Sequence, residues 1–216
     1  MTEHVFEPMR RAMVASQLRT TGVNDPRVIA AMGEVARERF VPADRAALAY
    51  ADALVPLGGG RALNPPMALG RMLTEAQLKG DESVLVIGAA TGYSAALLAR
   101  LAGSVTALEE EDALAAFAKT ALAGTGVASV KGPLAKGYAR NAPYDFILID
   151  GAVEHLPAAI IGQAADGGRI SLALLDRGVT RLALGRVVAG AFGMNVYADA
   201  EAAVLPGFEK SRGFTF

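Results

Sequence analysis

The chain has 216 residues, of which 52% are hydrophobic and 20% are charged, and its formal net charge is -1. This length predicts one large domain with its own core, and this composition excludes a disordered chain. The small net charge argues against nucleic acid or an anionic membrane as a partner, and the absence of cysteine excludes disulfides, thiolate metal sites and a cysteine nucleophile.

The first third of the chain is predicted to be mainly helical. Residues 7–21 have helical spacing, and a second helix is expected after Asn24, with Asp25 as its N-cap and Pro26 as its first residue. A further short helix is expected over 43–50. No apolar stretch approaches the ~20 residues that span a bilayer, so we expect no membrane partner and a cytoplasmic location.

Glycine and proline are concentrated in the next segment, VPLGGGRALNPP, which predicts a loop or a short hairpin between residues 51 and 66. A helix is predicted from Pro65 and Pro66 to about residue 77. We therefore divide a single domain, 1–216, into an N-terminal helical cap with its loop (1–66) and a sheet core (67–216).

From residue 83 onward, short apolar runs alternate with helical stretches, as in a parallel sheet with crossover helices. The runs VLVIG and YDFILID are typical of buried central strands. The residues after 190 are ambiguous, and their terminal aromatics are predicted to pack as a last strand. The predicted strands are 83–88, 104–108, 128–131, 144–150, 169–175 and 181–188, and the predicted helices between them are 92–102, 111–123 and 156–165.

A turn of small residues, Gly88-Ala89-Ala90-Thr91-Gly92-Tyr93, joins the first of these strands to a helix. Small side chains let the backbone approach a ligand at the helix N-terminus, so this turn is the candidate cofactor loop. It lacks the second glycine of the dinucleotide fingerprint G-x-G-x-x-G. The alternative is a merely tight strand-to-helix connection.

An acid at the end of the second strand supports the first interpretation. Glu109 follows the turn by about 20 residues, the spacing at which a carboxylate accepts hydrogen bonds from the ribose hydroxyls of a nucleoside. The alternative is that Glu109 and the three acids after it only cap the next helix. We select Glu109 because it follows the apolar strand directly.

These residues resemble the protein-L-isoaspartate O-methyltransferase family, and the likeness runs from about Met13 to Arg169. The N-terminal set is specific to this family, whereas the core motifs are shared more widely among methyltransferases. The matching residues are Gln17-Leu18, Gly22-Val23, Asp25, Arg27-Val28, Ala31-Met32, Arg37-Glu38, Phe40-Val41-Pro42, Ala49-Tyr50, Asp52, Pro56-Leu57-Gly58, Val84-Leu85, Ile87-Gly88, Thr91-Gly92-Tyr93, Ala142-Pro143-Tyr144-Asp145 and Gly167-Gly168-Arg169.

The resemblance implies an α/β, Rossmann-like sheet of seven mostly parallel strands flanked by helices. It also implies S-adenosylmethionine as the methyl donor and isoaspartyl residues of proteins or peptides as the acceptors. A carboxylate is already ionised at neutral pH and can accept a methyl group without a general base. Positioning would then supply most of the catalysis.

The loop before the core departs from the family pattern. The family has Gly-Gln-Thr-Ile-Ser-x-Pro where this chain has Gly60-Arg61-Ala62-Leu63-Asn64-Pro65-Pro66. Arg61 and Asn64 are the candidate catalytic residues, since a guanidinium and an amide can both bind a carboxylate. The alternative is that Arg61 is a solvated loop cation and Asn64 caps the following helix.

The cofactor site is altered as well. Val86 replaces the acid that usually precedes the first motif, Ala90 replaces its central glycine, and Gly132-Pro133-Leu134 replaces Gly-Asp-Gly. Gly88, Gly92 and Glu109 remain, and the candidate cofactor residues are Gly88, Ala89, Ala90, Gly92, Tyr93, Glu109 and Asp150. These changes leave open a non-catalytic relative of the family as an alternative.

Three polar residues lie at the end of the central strand YDFILID: Asp150 is its last residue, and Glu154 and His155 follow it. Ligands of open α/β sheets lie at the carboxyl ends of such strands. This placement leaves a small-molecule O-methyltransferase as a further alternative, with a metal bound at Asp150 or with His155 as a base. No second pair of acidic ligands is evident, so we predict no metal.

Overall fold

A computed structural model describes residues 3–210 of the chain. No helix in that range is long and apolar enough to cross a membrane. The α-helices are α1 (Glu3–Ala12), α2 (Pro26–Glu34), α3 (Pro66–Ala76), α4 (Tyr93–Leu98), α5 (Asp112–Ala121) and α6 (Ala158–Ile161). The strands are β1 (Val55–Gly58), β2 (Arg61–Leu63), β3 (Ser83–Ile87), β4 (Ser104–Glu109), β5 (Ala128–Lys131), β6 (Tyr144–Val153), β7 (Ala164–Asp176), β8 (Val179–Val188) and β9 (Ala191–Asp199).

The N-terminal region is helical, as predicted. Helix α1 continues into a π-helical turn, Met13–Leu18, and a 3-10 turn, Arg19–Thr21, so the predicted helix over 7–21 is only partly α-helical. Asp25 caps α2 by accepting hydrogen bonds from the backbone N–H groups of Arg27 and Val28. The predicted short helix over 43–50 is a 3-10 helix, Ala43–Leu48.

The segment rich in glycine and proline forms the antiparallel hairpin β1–β2, one of the two structures predicted for it. Arg61 begins β2, and Asn64 directly follows the strand. Pro65 precedes α3 and Pro66 is its first residue, where the missing N–H of proline costs nothing. The hairpin therefore presents Arg61 and Asn64 just before the core.

Seven strands within residues 3–210 form the main sheet, in the order β5-β4-β3-β6-β7-β8-β9. The first five strands in that order pair in parallel, whereas β8 is antiparallel to both β7 and β9. The chain leaves β3 toward β5 on one side and then returns to β6 on the other. The carboxyl ends of β3 and β6 consequently form the switch point, where ligands of open α/β sheets bind.

The predicted Rossmann-like fold is confirmed, and the differences lie mainly at element ends. The helix predicted over 156–165 is only Ala158–Ile161, because β7 begins at Ala164. The last strand within residues 3–210 is β9. The terminal aromatics Phe214 and Phe216 lie outside the described residues.

Hydrophobic cores lie on both faces of the sheet. One contains residues of the cap, α3, α4 and α5, and the other contains residues of α6 together with Leu205 and Phe208. The described part of the segment after β9, residues 200–210, is therefore anchored by buried side chains, although it has no helix and only one isolated bridge, between Val204 and Ala152. This segment reaches the carboxyl ends of β3 and β6.

Candidate functional site

The turn after β3 lies at the switch point. Gly88, Ala90 and Gly92 all have positive φ, at 77°, 49° and 100°. The backbone N–H groups of Gly88 and Ala89 both donate to the Leu108 carbonyl oxygen at 3.0 Å, and Gly92 N donates to Ala89 O at 2.8 Å. A Cβ at Gly92 would lie 2.8 Å from Leu122 Cδ1, so the helix packing also requires glycine there.

Glu109 ends β4 beside this turn, and its side chain is only 2% exposed. Its Oε1 accepts from Arg61 Nη1 at 2.7 Å and from the backbone N–H groups of Glu110 and Glu111 at 2.9 and 3.1 Å. Its Oε2 accepts from Ala90 N at 2.7 Å and from Arg61 Nη2 at 3.0 Å. Glu109 therefore joins the hairpin to the candidate cofactor turn.

Arg61 is buried, with 5% of its side chain exposed, so the alternative of a solvated loop cation is wrong. It binds both oxygens of Glu109, the bidentate geometry that a planar guanidinium favours. Its Nη2 also lies 3.3 Å from the Gly88 carbonyl oxygen. The guanidinium thus lies between the strand ends of β3 and β4.

Asn64 connects three parts of the chain. Its Nδ2 donates to Asp150 Oδ1 at 2.7 Å, and its Oδ1 accepts from Ala203 N at 2.7 Å. It makes no side-chain cap on α3, so the alternative role as a helix cap is also wrong. Burial raises the pKa of the Asp150 carboxyl, against contributions from Ser94, Asn64, Arg37 and Arg61 that favour its ionised form.

The segment after β9 packs on the same strand ends. Ala152 N donates to Ala203 O at 2.7 Å, and Leu205 N donates to Ala152 O at 2.9 Å. A Cβ at Gly88 would lie 3.0 Å from both Leu205 methyl groups, and one at Gly151 would lie 2.6 Å from Leu205 Cγ. Leu205, which is 2% exposed, therefore occupies the space that these glycines leave open.

Tyr93 faces the cap instead of the strand ends. It is fully buried, and the guanidinium of Arg37 lies 4.7 Å from its ring centroid. Arg37 donates to the carbonyl oxygens of Ala49 at 2.6 Å and Asn64 at 2.7 Å. Thr91 Oγ1 donates to Phe40 O at 2.6 Å. These residues hold the cap on the turn, so the structure gives Tyr93 a packing role.

Glu154 and His155 contact the same terminal segment. Glu154 Oε2 accepts from Lys210 N at 2.7 Å, and His155 Nδ1 lies 2.8 Å from Phe208 O. Among residues 3–210, no three histidine, aspartate or glutamate side chains cluster closely enough to hold a metal ion. The metal-dependent alternative therefore has no ligand set in that range.

The structure brings together Arg61, Asn64, Gly88, Glu109 and Asp150 from four separate elements. Arg37 and Leu205 are not among the site residues predicted from the sequence. For Arg37 a signal existed in the match of Arg37-Glu38 to the family pattern. For Leu205 the apolar run AAVL before Pro206 was the only local sign of burial.

A glycine-containing turn after the first strand of a Rossmann-like sheet, with an acid ending the neighbouring strand, is typical of methyltransferases that bind a nucleoside cofactor. Residues 9–184 match the family model for protein-L-isoaspartate(D-aspartate) O-methyltransferase. The chain belongs to this family. The predicted family is thereby confirmed, and so is the predicted S-adenosylmethionine-dependent methyltransferase function.

Individual relatives agree with this assignment. The chain is 41% identical to protein-L-isoaspartate O-methyltransferase 1 of Rhodopseudomonas palustris over 181 residues, which cover 82% of this chain and 74% of the relative. It is also 41% identical to a second such enzyme, of an Anaeromyxobacter species, over 76% of this chain and 69% of the relative.

Solved structures share the fold. One protein-L-isoaspartate O-methyltransferase matches with a TM-score of 0.79 and 21% identity, over 92% of this chain and 66% of that chain. A Plasmodium falciparum protein described as belonging to the same family, in complex with S-adenosyl-L-homocysteine, matches with a TM-score of 0.72 and 13% identity, over 91% and 96%.

Members of this family use S-adenosylmethionine, and the side chains at the strand ends test whether this chain can hold it. Glu109 already accepts five N–H donors, so no lone pair remains for ribose hydroxyls. Leu205 covers Gly88, where the backbone would approach the donor. In this conformation the residues present do not fit the cofactor.

Proposed function

We propose that this chain methylates the carboxyl group of isoaspartyl residues in proteins and peptides. The observation that carries the proposal is the extent of the family match, which runs from the cap through the hairpin and the sheet to residue 184. The cap motifs distinguish this family from other methyltransferases of the same fold.

Arg61 and Asn64 are the proposed contacts for the acceptor carboxylate. Both side chains are buried at the carboxyl ends of the strands, and both donate to carboxylates in the structure, Arg61 to Glu109 and Asn64 to Asp150. Arg61 Nε is buried and has no partner among the described residues, which leaves a donor available. Neither side chain needs to accept a proton, because a carboxylate acceptor is ionised at neutral pH.

The decisive experiment measures methyl transfer from labelled S-adenosylmethionine to an isoaspartyl peptide. The matched control is the same peptide with ordinary aspartate at that position. We expect label in the isoaspartyl peptide alone, released by mild base as for a methyl ester. Equal labelling of both peptides, or labelling of neither, would contradict the proposal.

We place the chain in the cytoplasm, with protein substrates and without nucleic acid, on the basis of its small net charge and its lack of cysteine. The division into a cap of residues 1–66 and a core of 67–216 also stays a prediction. Nothing in the comparisons favours a non-catalytic relative or a small-molecule methyltransferase.

A further inference from the structure

Two groups of this chain lie where a nucleoside cofactor would bind. The Arg61 guanidinium contacts both oxygens of Glu109, and the Leu205 side chain contacts the turn at Gly88. They come from opposite ends of the sequence, one from the β1–β2 hairpin and the other from the segment after β9.

The first group, the Arg61 guanidinium, occupies the hydrogen-bond positions of the Glu109 carboxylate that the backbone leaves free. A carboxylate offers about four lone-pair positions, and here five N–H groups approach Glu109 between 2.7 and 3.1 Å. Three of the donors are backbone groups of the turn and of the residues that follow the acid, and they are fixed by the fold. Arg61 supplies the other two, so its departure would free one position on each oxygen.

The second group is held by hydrogen bonds to β6 and to Asn64 and by the buried side chains of Leu205 and Phe208. Backbone hydrogen bonds to Ala152 fix Ala203 and Leu205, and Asn64 accepts the N–H of Ala203. Beyond them Phe208 is buried, and Phe208 O lies against His155. Residues 200–210 contain no strand or helix, so this part of the segment can separate as a unit without breaking the seven-stranded sheet.

Asn64 links Arg61 to the segment that carries Leu205. It lies three residues after Arg61, and it binds Asp150 on β6 and Ala203 of the terminal segment. Displacement of the segment would leave the Asn64 carbonyl oxygen without its donor, and displacement of the hairpin would remove the acceptor of the Ala203 N–H. Each movement thus loosens the other.

We propose that Arg61 and the segment 202–208 form an internal plug that excludes S-adenosylmethionine. The donor binds only when Leu205 leaves Gly88 and Arg61 releases Glu109, so the structure represents a self-inhibited form of the enzyme. This inference rests on the proposed function. A plugged site differs from a lost one, because the glycine turn and Glu109 are still present at the ends of β3 and β4.

The test is calorimetric titration with S-adenosyl-L-homocysteine of the full-length wild type and of two variants, Arg61→Gln and Leu205→Ala. We expect each variant to bind at least about tenfold more tightly than the wild type, as when the binding-competent fraction rises tenfold. Glutamine is the family's own residue at position 61, so Arg61→Gln keeps a polar side chain there.

Two matched variants control for general loosening of the fold. Arg169→Gln removes another buried arginine that pairs with a carboxylate, that of Glu82, and Leu101→Ala truncates a leucine of similar burial. Both lie away from the strand ends that hold Glu109. We expect their affinity for S-adenosyl-L-homocysteine to equal that of the wild type within about twofold.

Hydrogen exchange on the wild type gives a test that needs no variant. A ligand normally protects the amides around it, but here saturating S-adenosyl-L-homocysteine should accelerate exchange at the amides of Ala203 and Leu205. Slower exchange at these two amides would overturn the plug.

The titrations separate the two proposals. Wild-type binding as tight as that of Arg61→Gln and Leu205→Ala overturns the plug and leaves the methyltransferase function in place. Absence of binding in the wild type and both variants overturns the plug as the cause of exclusion, and it also contradicts the proposed function.

Discussion

Arg61 and Glu109, which pair with each other, differ in the number of other hydrogen-bond partners that each has. Glu109 has three backbone N–H donors besides Arg61, whereas within residues 3–210 Arg61 has only the Gly88 carbonyl oxygen at 3.3 Å besides Glu109. A buried charge that loses its counter-ion destabilises a protein strongly, unless other groups solvate it. The two partners should therefore respond differently to substitution.

We predict that Glu109→Gln lowers the free energy of unfolding by about 3 kcal/mol, because it leaves the Arg61 guanidinium without an opposite charge. Arg61→Gln should cost less, since the backbone donors still satisfy the carboxylate. Urea denaturation of the two variants measures the difference. A larger loss for Arg61→Gln would contradict this reading of the pair.

Ala90 is a second feature at residue scale. Its φ of 49° lies in the left-handed region, which costs an L-residue other than glycine about 1–2 kcal/mol. Ala90→Gly should stabilise the protein by up to about 1 kcal/mol once the greater backbone entropy of glycine is included. Thermal unfolding tests this prediction.

The same substitution in ordinary helical backbone provides the control. Ala116 is exposed in the middle of α5, where glycine is expected to cost about 1 kcal/mol. Opposite signs for Ala90→Gly and Ala116→Gly would locate the strain in the turn. Equal losses at the two positions would show that Ala90 is not strained.

Local signals in the sequence predict the elements well. Asp25 and Pro26 locate the start of α2, the glycine-rich segment predicts a loop or a short hairpin, of which β1–β2 is the second, and the apolar runs predict β3 and β6. Each of these signals is contained in a few consecutive residues, although β3 and β6 pair with each other over about 62 residues of sequence. Element ends are less well predicted, because the start of β7 at Ala164 is set by pairing with β6.

The N-cap residue of α2, Asp25, gives a prediction for the stability of a single helix. Asp25→Ala removes the acceptor for the N–H groups of Arg27 and Val28 and should lower the free energy of unfolding by about 1 kcal/mol. Asp25→Asn should restore most of the lost stability.

Asp44→Ala provides the control. It removes an exposed acid 3.9 Å from Arg45 and should change the free energy of unfolding by less than about 0.5 kcal/mol. Denaturant titration distinguishes these outcomes, and equal losses at positions 25 and 44 would contradict the assignment of the cap.

At the scale of the whole molecule, the site depends on contacts between distant parts of the chain. Asn64 and Asp150 are 86 residues apart, and Asn64 and Ala203 are 139 apart. The sequence identified Arg61, Asn64, Glu109 and Asp150 as candidates, but no local pattern indicates that Arg61 pairs with Glu109. The role of Leu205 is equally non-local, since it follows from packing against Gly88 in the turn after β3 and against Gly151 on β6.

Asp150 makes the stability of the whole molecule depend on pH. Burial raises its pKa in the folded state, so between its unfolded pKa near 4 and the folded value the folded state binds more protons. The stabilisation that Asp150 contributes is fully present below about pH 4, and it is lost as pH rises through the folded pKa.

Asp150→Asn removes that titration. The free energy of unfolding of the variant minus that of the wild type should therefore increase as pH rises from about 4. This difference should level off above the folded pKa of Asp150. Urea midpoints across this range provide the measurement. A difference between the two proteins that stays constant with pH would show that Asp150 titrates normally.

The hydrogen bonds that join Ala203 and Leu205 to Ala152 have a consequence for the rate of ligand entry. If the segment must leave first, the observed rate of S-adenosyl-L-homocysteine binding stops rising at high ligand concentration, where it equals the opening rate of the segment. The apparent dissociation constant is the intrinsic one divided by the open fraction, so a segment open ~1% of the time weakens binding about a hundredfold. Leu205→Ala should raise both the plateau rate and the open fraction.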